Sequence, residues 1–337
     1  MKYYLEKVIE KQNLTFKEAY DAMNGIIEKK FDDVSIGAFL AALKTKGETP
    51  EEIAGFACSL NENCINIEGD NAIDVCGTGG DNSNTFNIST TAAFVVAGVG
   101  IKVAKHGNRA VSSLSGSADV LCELGVNTNM IADLASKALN EIGIVFLFAP
   151  NYHPAMKIVA PIRKSLGVKT VFNILGPLLN PAKVKRQLIG VFKYDYAKKM
   201  SEAVKYLNKE KAVFVCEENK YDEILLSGNS KAFVYEKNNS LEELDLNFET
   251  FGFAKADVEN LKCSNVSESA KMFISILRDK EKNDAYKAVV ANAAMGLFAA
   301  GYYMSIEECK IAAEESILSG KAFEKFKRLK EFGEKAL

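Results

Sequence analysis

The 337-residue chain has only two histidines, and none of its apolar runs is long enough to span a bilayer. Its N-terminus is charged early and has no apolar core, so we expect no signal peptide, a cytoplasmic location and no membrane partner. The formal net charge of −2 argues against a nucleic-acid partner. The seven cysteines form no CxxC pair, which argues against a zinc site or a disulfide framework and favours buried thiols.

The glycine-rich segment at 77–80 lacks two familiar nucleotide-binding motifs. No Gly-Lys-Ser/Thr follows it, which excludes a Walker A loop. A dinucleotide fingerprint that begins at Gly77 and Gly79 needs a third glycine at position 82, where this chain has Asn82.

Helical signals fill residues 1 to about 66. A capping box at Thr15 and Glu18 starts one helix, Gly47 ends the next, and Thr49 followed by Pro50 starts another. From about residue 70 short apolar segments alternate with helices, and we predict strands at 72–75, 102–104, 145–148, 188–191, 212–215 and 232–235. The pattern predicts an α/β protein: a small N-terminal α-helical domain and a larger α/β domain with a central, mostly parallel sheet.

The most informative stretch is DVCGTGGDNSNTFNIST at residues 74–90. An apolar strand leads into the glycines, and Thr85, Ser89 and Thr90 follow at the start of a helix. Such a turn presents bare backbone N–H groups to an anion, and glycine lets a phosphate approach the backbone. The same pattern also suits an ordinary turn between a strand and a helix, so this loop alone does not establish a phosphate site.

A second polar cluster, KVAKHGNRAVSSLSGSADVL, occupies residues 102–121. Lys105 and Arg109 lie close to glycines and four serines, a combination that suits a pyrophosphate or a phosphate monoester. A solvated basic turn is the alternative for this segment alone. Both clusters follow candidate strands, and ligands of open α/β sheets bind at the carboxyl ends of strands.

Three further features are candidates for substrate or metal binding. Five of the six prolines lie between residues 149 and 181, together with His153 and Arg163. The Arg163 guanidinium could hold a carboxylate at two points, although a solvated arginine is the simpler interpretation. Asp222 and Glu223 follow an apolar run and could hold Mg²⁺ with substrate phosphates, although such pairs also occur in surface turns.

The motifs GTGGD, TFNIST, KHGNRAVSS, GSAD, HPAMK, IRKSLG and NILGPLLNP occur in one order that resembles the anthranilate phosphoribosyltransferases over nearly the full chain. The resemblance implies a nucleoside phosphorylase-like phosphoribosyltransferase fold. It implies transfer of the phosphoribosyl group of phosphoribosyl pyrophosphate (PRPP) to the amine of anthranilate, the second step of tryptophan biosynthesis from chorismate. It also implies PRPP-bound Mg²⁺, two ions in all, and a homodimer.

The resemblance carries binding roles to individual residues. The implied PRPP contacts are Gly77, Gly80, Asp81, Thr85, Asn87, Ile88, Ser89, Thr90, Lys105, His106, Gly107, Asn108, Arg109, Ala110, Val111, Ser112, Ser113 and Ser117. The implied anthranilate contacts are Gly77, Asn108 and Arg163, and the implied Mg²⁺ ligands are Ser89, Asp222 and Glu223. No residue is assigned as an obligatory acid or base; His106 is a candidate for orienting the substrate.

The resemblance also divides the chain into domains. Residues 1–68, with a return segment near 164–183, would form the helical domain, which pairs the subunits and provides the anthranilate side of the cleft. Residues 69–163 and 184–337 would form the α/β domain that binds PRPP and Mg²⁺. The chain departs from the family pattern at Asn82, commonly glycine, at Cys216-Glu217, commonly His-Gly, and at Lys169, commonly arginine. A left-handed backbone at position 82 would accommodate asparagine.

Two other functions stay open at this point. A nucleoside phosphorylase of the same fold shares a looser KHG motif, but the GTGGD loop and Arg163 argue against it. A nucleic-acid-binding relative without activity would need a basic groove and the loss of these motifs. The acidic motif of the commoner PRPP-binding fold is absent, which excludes that class.

Overall fold

The computed structural model describes residues 1–110, 114–238, 241–303 and 305–335. Its N-terminal part is a bundle of four helices: α1 (Lys2–Ile9), α2 (Phe16–Ile27), α3 (Asp33–Lys46) and α4 (Pro50–Glu62). The predicted capping boxes form at the starts of α2 and α4, where Thr15 and Thr49 each accept a backbone N–H three residues later. Gly47 follows α3 with a φ of 88°, so the predicted helix end is confirmed.

Seven strands form one mixed sheet in the described part of the chain. They are β1 (Ile73–Gly77), β2 (Val103–Gly107), β3 (Ile144–Phe148), β4 (Arg186–Gly190), β5 (Lys211–Glu217), β6 (Ser230–Glu236) and β7 (Glu242–Leu246). The order is β3-β2-β1-β4-β5-β6-β7, with parallel pairing from β3 to β5 and antiparallel pairing of β6 and β7. The six predicted strands and the mostly parallel sheet are confirmed. Strand β7, with the sequence EELDL, was not predicted, because an edge strand can be polar and largely exposed.

The remaining helices alternate with the strands or follow them. They are α5 (Ile88–Val99), α6 (Ser117–Glu123), α7 (Ala132–Ile142), α8 (Ala149–Tyr152), α9 (Met156–Leu166), α10 (Phe172–Leu175), α11 (Tyr194–Ala203), α12 (Val266–Leu277), α13 (Asp284–Ala300), α14 (Ile306–Leu318) and α15 (Lys321–Lys335). In the described ranges, no helix combines the length and apolarity that crossing a membrane requires.

Two hydrophobic clusters cover opposite faces of the sheet. One joins β1–β3 to α5 and α13 through residues such as Val75 and Val96. The other includes the core of α1–α4 and also Val159, Ile162 and Leu175 of α9 and α10. Thus helices α9 and α10 pack with the N-terminal bundle although they lie about a hundred residues away in the chain. The domain boundaries themselves stay a prediction.

The loops that follow β1, β2, β4 and β5 meet at one edge of the sheet. Gly77 pairs with Gly190, and the parallel register places the ends of β1 and β4 side by side. The chain therefore brings its polar clusters to the carboxyl ends of the strands, as the sequence predicted.

Candidate active site

The turn after β1 has the backbone that the sequence suggested. Gly79 and Gly80 have φ values of 64° and 78°, and Asn82 has a φ of 57°. Asn82 therefore has the left-handed backbone that would accommodate asparagine, which tolerates it better than most residues. The Gly79 N–H donates to the Asp222 Oδ2 atom at 2.6 Å, which joins the glycine turn to the acidic pair.

The start of α5 joins the same cluster. The Ser89 N–H donates to Glu223 Oε1 at 2.9 Å, and the Thr85 hydroxyl donates to Glu223 Oε2 at 3.4 Å. The side chains of Ile88 and Thr90 are completely buried in the α/β core. Any contact between those two residues and a ligand would therefore use their backbone atoms.

Asn87 ties the two polar loops together. Its Oδ1 atom accepts hydrogen bonds from the hydroxyls of Ser115, at 2.8 Å, and Ser269, at 2.9 Å. Ser115 belongs to the loop after β2, whereas Ser269 belongs to α12. Sequence reasoning missed Ser269, because only the fold brings α12 to this place.

Lys105 is a buried cation between β1 and α5. Its Nζ atom donates to the Val75 carbonyl at 2.6 Å and to the Ser89 hydroxyl at 3.4 Å. Burial lowers the pKa of Lys105, and the nearby Asp74 carboxylate opposes that shift. Burial in turn raises the pKa of Asp74, which accepts the His106 N–H at 3.2 Å. Asp74 was not predicted as a site residue; its charge helps to keep Lys105 protonated.

Both histidines of the chain lie in this region. The rings of His106 and His153 are buried, and their centroids are 5.1 Å apart. Burial lowers the pKa of His106 to about 3 and that of His153 to about 4. Both Nε2 atoms are buried with no hydrogen-bond partner among the residues described. At neutral pH the pair is therefore uncharged.

The described residues that follow β2, up to Ala110, contact α6. Arg109 forms an ion pair with Asp119 at 3.0 Å, and the Ala110 N–H donates to the other carboxylate oxygen at 2.9 Å. The Ser117 hydroxyl donates to the Asn108 carbonyl at 3.2 Å. The GSAD motif contained Asp119, but its role as the partner of Arg109 was missed. The predicted PRPP residues Val111, Ser112 and Ser113 lie outside the described residues.

The acidic pair is packed against bare backbone. A Cβ atom on Gly77 would lie 2.6 Å from Asp222 Oδ2, so a larger residue there would displace the Asp222 carboxylate. Burial, reinforced by the Asp81 charge, raises the pKa of Asp222 to about 7. Burial, reinforced by the Asp222 charge, raises the pKa of Glu223 well above its ordinary value.

These carboxylates fit a divalent cation. Two adjacent acids keep raised pKa values although the charge of Lys105 is close to them, and the Ser89 side chain adds a hydroxyl oxygen nearby. Mg²⁺ prefers such oxygen ligands. Across the described ranges, no group of three or more His, Cys, Asp or Glu side chains could hold a metal by itself. A cation here would therefore need oxygen atoms from the substrate and from water.

Arg163 lies on α9, outside the loops that follow β1 and β2. Its guanidinium carbon is 5.3 Å from the centre of the Phe172 ring, and burial lowers its pKa. In the part of the chain that the structure describes, Arg163 forms no ion pair with an acidic side chain. The group is thus held by stacking while its charge is available to a carboxylate ligand.

Lys169 connects the segment between α9 and α10 to the glycine turn. Its Nζ atom donates to the Gly80 carbonyl at 2.5 Å and lies 4.3 Å from the centre of the Phe192 ring. The residue that departs from the family pattern therefore still reaches the candidate phosphate loop.

The fold and these loops define a two-domain glycosyl transferase. A model of the helical bundle domain of a glycosyl transferase family matches residues 2–64, and a model of the α/β domain of a glycosyl transferase family matches residues 69–323. Together the matched segments cover most of the chain, in the order that the structure shows.

Relatives define the family more closely. The chain is 41% identical to the anthranilate phosphoribosyltransferase of Geobacillus sp. (strain WCH70), over 98% of this chain and 97% of that protein. It is 40% identical to that of Streptococcus mutans, over 98% and 99% of the two chains. The chain therefore belongs to the anthranilate phosphoribosyltransferase family, which confirms the resemblance, the enzyme class and the assignment to tryptophan biosynthesis.

Solved structures agree with this assignment. The anthranilate phosphoribosyltransferase of Thermus thermophilus superposes with a TM-score of 0.92 at 36% identity, over 98% of this chain and 99% of that one. The enzyme of Saccharomyces cerevisiae, in complex with PRPP and Mg, gives a TM-score of 0.90 at 27% identity, over 99% and 97% of the chains. Another structure of the yeast enzyme holds 4-fluoroanthranilate.

Proposed function

We propose that this chain transfers the phosphoribosyl group of PRPP to the amine of anthranilate, which gives N-(5-phosphoribosyl)anthranilate and pyrophosphate. The proposal rests on the hydrogen bonds that join the acidic pair to the glycine turn and to the start of α5. Asp222 accepts the Gly79 N–H, and Glu223 accepts the Ser89 N–H. A carboxylate pair in contact with a phosphate-binding loop would repel the phosphates unless a cation separated the negative charges.

PRPP would bind along the loops after β1 and β2. Gly77, Gly80, Asp81, Thr85, Asn87, Ile88, Ser89 and Thr90 supply the first loop and the start of α5, where backbone N–H groups and the helix dipole favour an anion. The second loop supplies Lys105, His106, Gly107, Asn108, Arg109, Ala110 and Ser117. Lys105 and Arg109 are the cations of this set; the Val75 carbonyl holds the Lys105 ammonium, and Asp119 pairs with Arg109.

Ser89, Asp222 and Glu223 would hold Mg²⁺. Two such ions would accompany PRPP. Mg²⁺ would neutralise the charge of the pyrophosphate and prevent its repulsion by the acidic pair. The chain contributes the buried carboxylates and the hydroxyl; Asp222 packs against Gly77 and Gly190, and Glu223 accepts the Ser89 N–H. The yeast enzyme, whose structure holds PRPP and Mg, supports this role by similarity.

Anthranilate would bind between the loops and α9, in contact with Gly77, Asn108 and Arg163. The Arg163 guanidinium would hold the carboxylate at two points and aim the amine at the anomeric carbon of the ribose. The uncharged imidazoles of His106 and His153 would accept or donate hydrogen bonds near the aromatic amine without repelling it. His106 is proposed to orient the substrate, and no general base is required, because the amine loses its proton readily after the new bond forms.

The reaction develops positive charge on the ribose and negative charge on the departing pyrophosphate. Catalysis then consists of positioning the amine and of stabilising the leaving group. The backbone N–H groups of the glycine turn and the ammonium of Lys105 provide that stabilisation from rigid elements. A homodimer paired through the helical domain and a cytoplasmic location stay predictions from the sequence.

The test is the loss of anthranilate fluorescence with purified protein, PRPP and Mg²⁺. We expect a decay that stops when any one of the three is omitted. A folded protein that gives no decay would contradict the proposal. Phosphorolysis of uridine and thymidine would then test a nucleoside phosphorylase, the alternative of the same fold.

A further inference from the structure

Glu217, the last residue of β5, is completely buried, and its carboxylate accepts five hydrogen bonds. Three come from the backbone N–H groups of Leu225, at 2.7 Å, Leu226, at 2.9 Å, and Ser227, at 2.9 Å. The other two come from the hydroxyls of Ser227, at 2.6 Å, and Ser230, at 3.2 Å. A carboxylate with this many donors fixes the geometry of the segment that supplies them.

The main chain of Glu217 holds the other side of the same loop. Its N–H donates to the Tyr221 carbonyl at 3.0 Å, and its carbonyl accepts the Tyr221 N–H at 2.9 Å. Tyr221 directly precedes Asp222, and Leu225 follows Glu223 by two positions. One residue thus anchors the chain immediately before and immediately after the acidic pair.

The segment held by Glu217 does not adopt a relaxed conformation. Leu226 has a φ of 62°, a left-handed backbone that is unfavourable for a residue with a Cβ atom. Its N–H is one of the five donors to Glu217. The carboxylate therefore helps to maintain a conformation that local propensity opposes.

The acidic pair tolerates little displacement. Asp222 Oδ2 lies within 2.6 Å of the Gly79 nitrogen, and the Asp222 carbonyl oxygen lies directly against Gly190. On the far side, the Asn292 side chain accepts the Ile224 N–H at 3.2 Å and donates to the Ile224 carbonyl at 2.8 Å. A shift of the loop would therefore break the contact of the pair with the glycine turn.

We propose that Glu217 is a positioning residue for the reaction: by anchoring both sides of the loop, it sets Asp222 and Glu223 for the PRPP-bound cation. This inference rests on the proposed function, in which the pair holds Mg²⁺. The anchor is formed by this chain's own residues, the Glu217 carboxylate and the donors of residues 225–230.

The principal variant is Glu217→Gln, which keeps the shape of the side chain but places an NH₂ group opposite N–H donors. Loss of a hydrogen bond to a charged group changes an equilibrium constant by roughly tenfold or more. We expect the Mg²⁺ concentration for half-maximal turnover to rise about tenfold. The KM for anthranilate should stay unchanged, because Arg163 lies on another element. Glu218→Gln is the matched control: this exposed neighbour bonds the Asn229 N–H and not residues 225–227.

A second measurement does not depend on turnover. Electron paramagnetic resonance of Mn²⁺, with PRPP present and anthranilate absent, reports binding of the cation directly. We expect about tenfold weaker Mn²⁺ binding to Glu217→Gln and unchanged binding to Glu218→Gln. Ser227→Ala, which removes one hydroxyl donor and keeps the carboxylate, provides the test if Glu217→Gln does not fold, with an expected weakening of about threefold.

The outcomes separate this inference from the function it rests on. Wild-type protein that gives no PRPP-dependent turnover would overturn the proposed function, whereas the Mn²⁺ titration would still compare the variants. Folded variants with lower turnover but wild-type dependence on Mg²⁺ and Mn²⁺ would show a merely structural role and would overturn the inference.

Discussion

Gly190→Ala is the most demanding test of the site geometry. Gly190 ends β4, and a Cβ atom built on it would lie 1.5 Å from the backbone oxygen of Asp222 and 2.6 Å from the backbone carbon. Ordinary contact begins at 3.4 Å, so the Asp222 backbone would have to retreat by about 2 Å. The obstacle is main chain rather than a flexible side chain, and a rotamer change cannot relieve it.

The magnitude follows from what that displacement breaks. Overpacking of this kind costs about 1–3 kcal/mol of folding free energy, and more where the backbone must move. The hydrogen bond from the Gly79 N–H to Asp222 would also be lost. A misplacement of about 1 Å at a catalytic site can lower turnover about a hundredfold, so we expect at least that loss in kcat/KM and a weaker response to Mg²⁺.

The assay is PRPP-dependent loss of anthranilate fluorescence across a Mg²⁺ titration, with thermal unfolding measured in parallel. Gly37→Ala is the control, because a Cβ atom there meets nothing closer than 3.7 Å and lies in helix α3. We expect Gly37→Ala to keep wild-type activity. A Gly190→Ala protein with wild-type Mg²⁺ dependence and wild-type Tm would refute the packing of Asp222 against β4.

Three further predictions address charge. Arg163→Ala should raise the KM for anthranilate about 10- to 100-fold with little change in the KM for PRPP, since one charged two-point contact is lost; a change confined to PRPP would refute the assignment. Lys169→Ala should raise the KM for PRPP about 3- to 10-fold, because the glycine turn loses a tether, and Lys169→Arg should restore it. Burial raises the pKa of Asp222 from its ordinary value of 3.8 to about 7. The contribution of this carboxyl group to the free energy of unfolding is therefore fully present below about pH 3.8 and is lost as the pH rises through about 7. Added Mg²⁺ with PRPP should recover that loss above pH 7 in thermal scans, and Asp222→Asn should flatten the profile; a pH-independent Tm for the wild type would contradict the burial of this charge.

Local interactions explain why much of the fold could be predicted. The capping boxes at Thr15 and Thr49 involve residues three positions apart, and both form as expected. Asn82 is left-handed because the turn demands it, and asparagine is among the few residues that accept that backbone. The same reasoning failed for β7, whose polar sequence forms a strand only because β6 offers it an edge.

Contacts between distant parts of the chain explain what the sequence left open. The anchor at Glu217 appeared only as a departure from a family pattern, and its partners became visible only once the loop after β5 was folded back. The ion pair of Arg109 with Asp119 and the contact of Asn87 with Ser269 likewise depend on the packing of α6 and α12.

The sequence by itself determined the class of fold, the glycine-rich turn and the family, because strand and helix periodicity, turn residues and motif order are all encoded locally. Only the tertiary structure decided which charges are buried and which donors face them. Desolvation depends on the whole packed surroundings of a group, and the pKa of Asp222 is raised only once the sheet, the glycine turn and the acidic loop have closed around it.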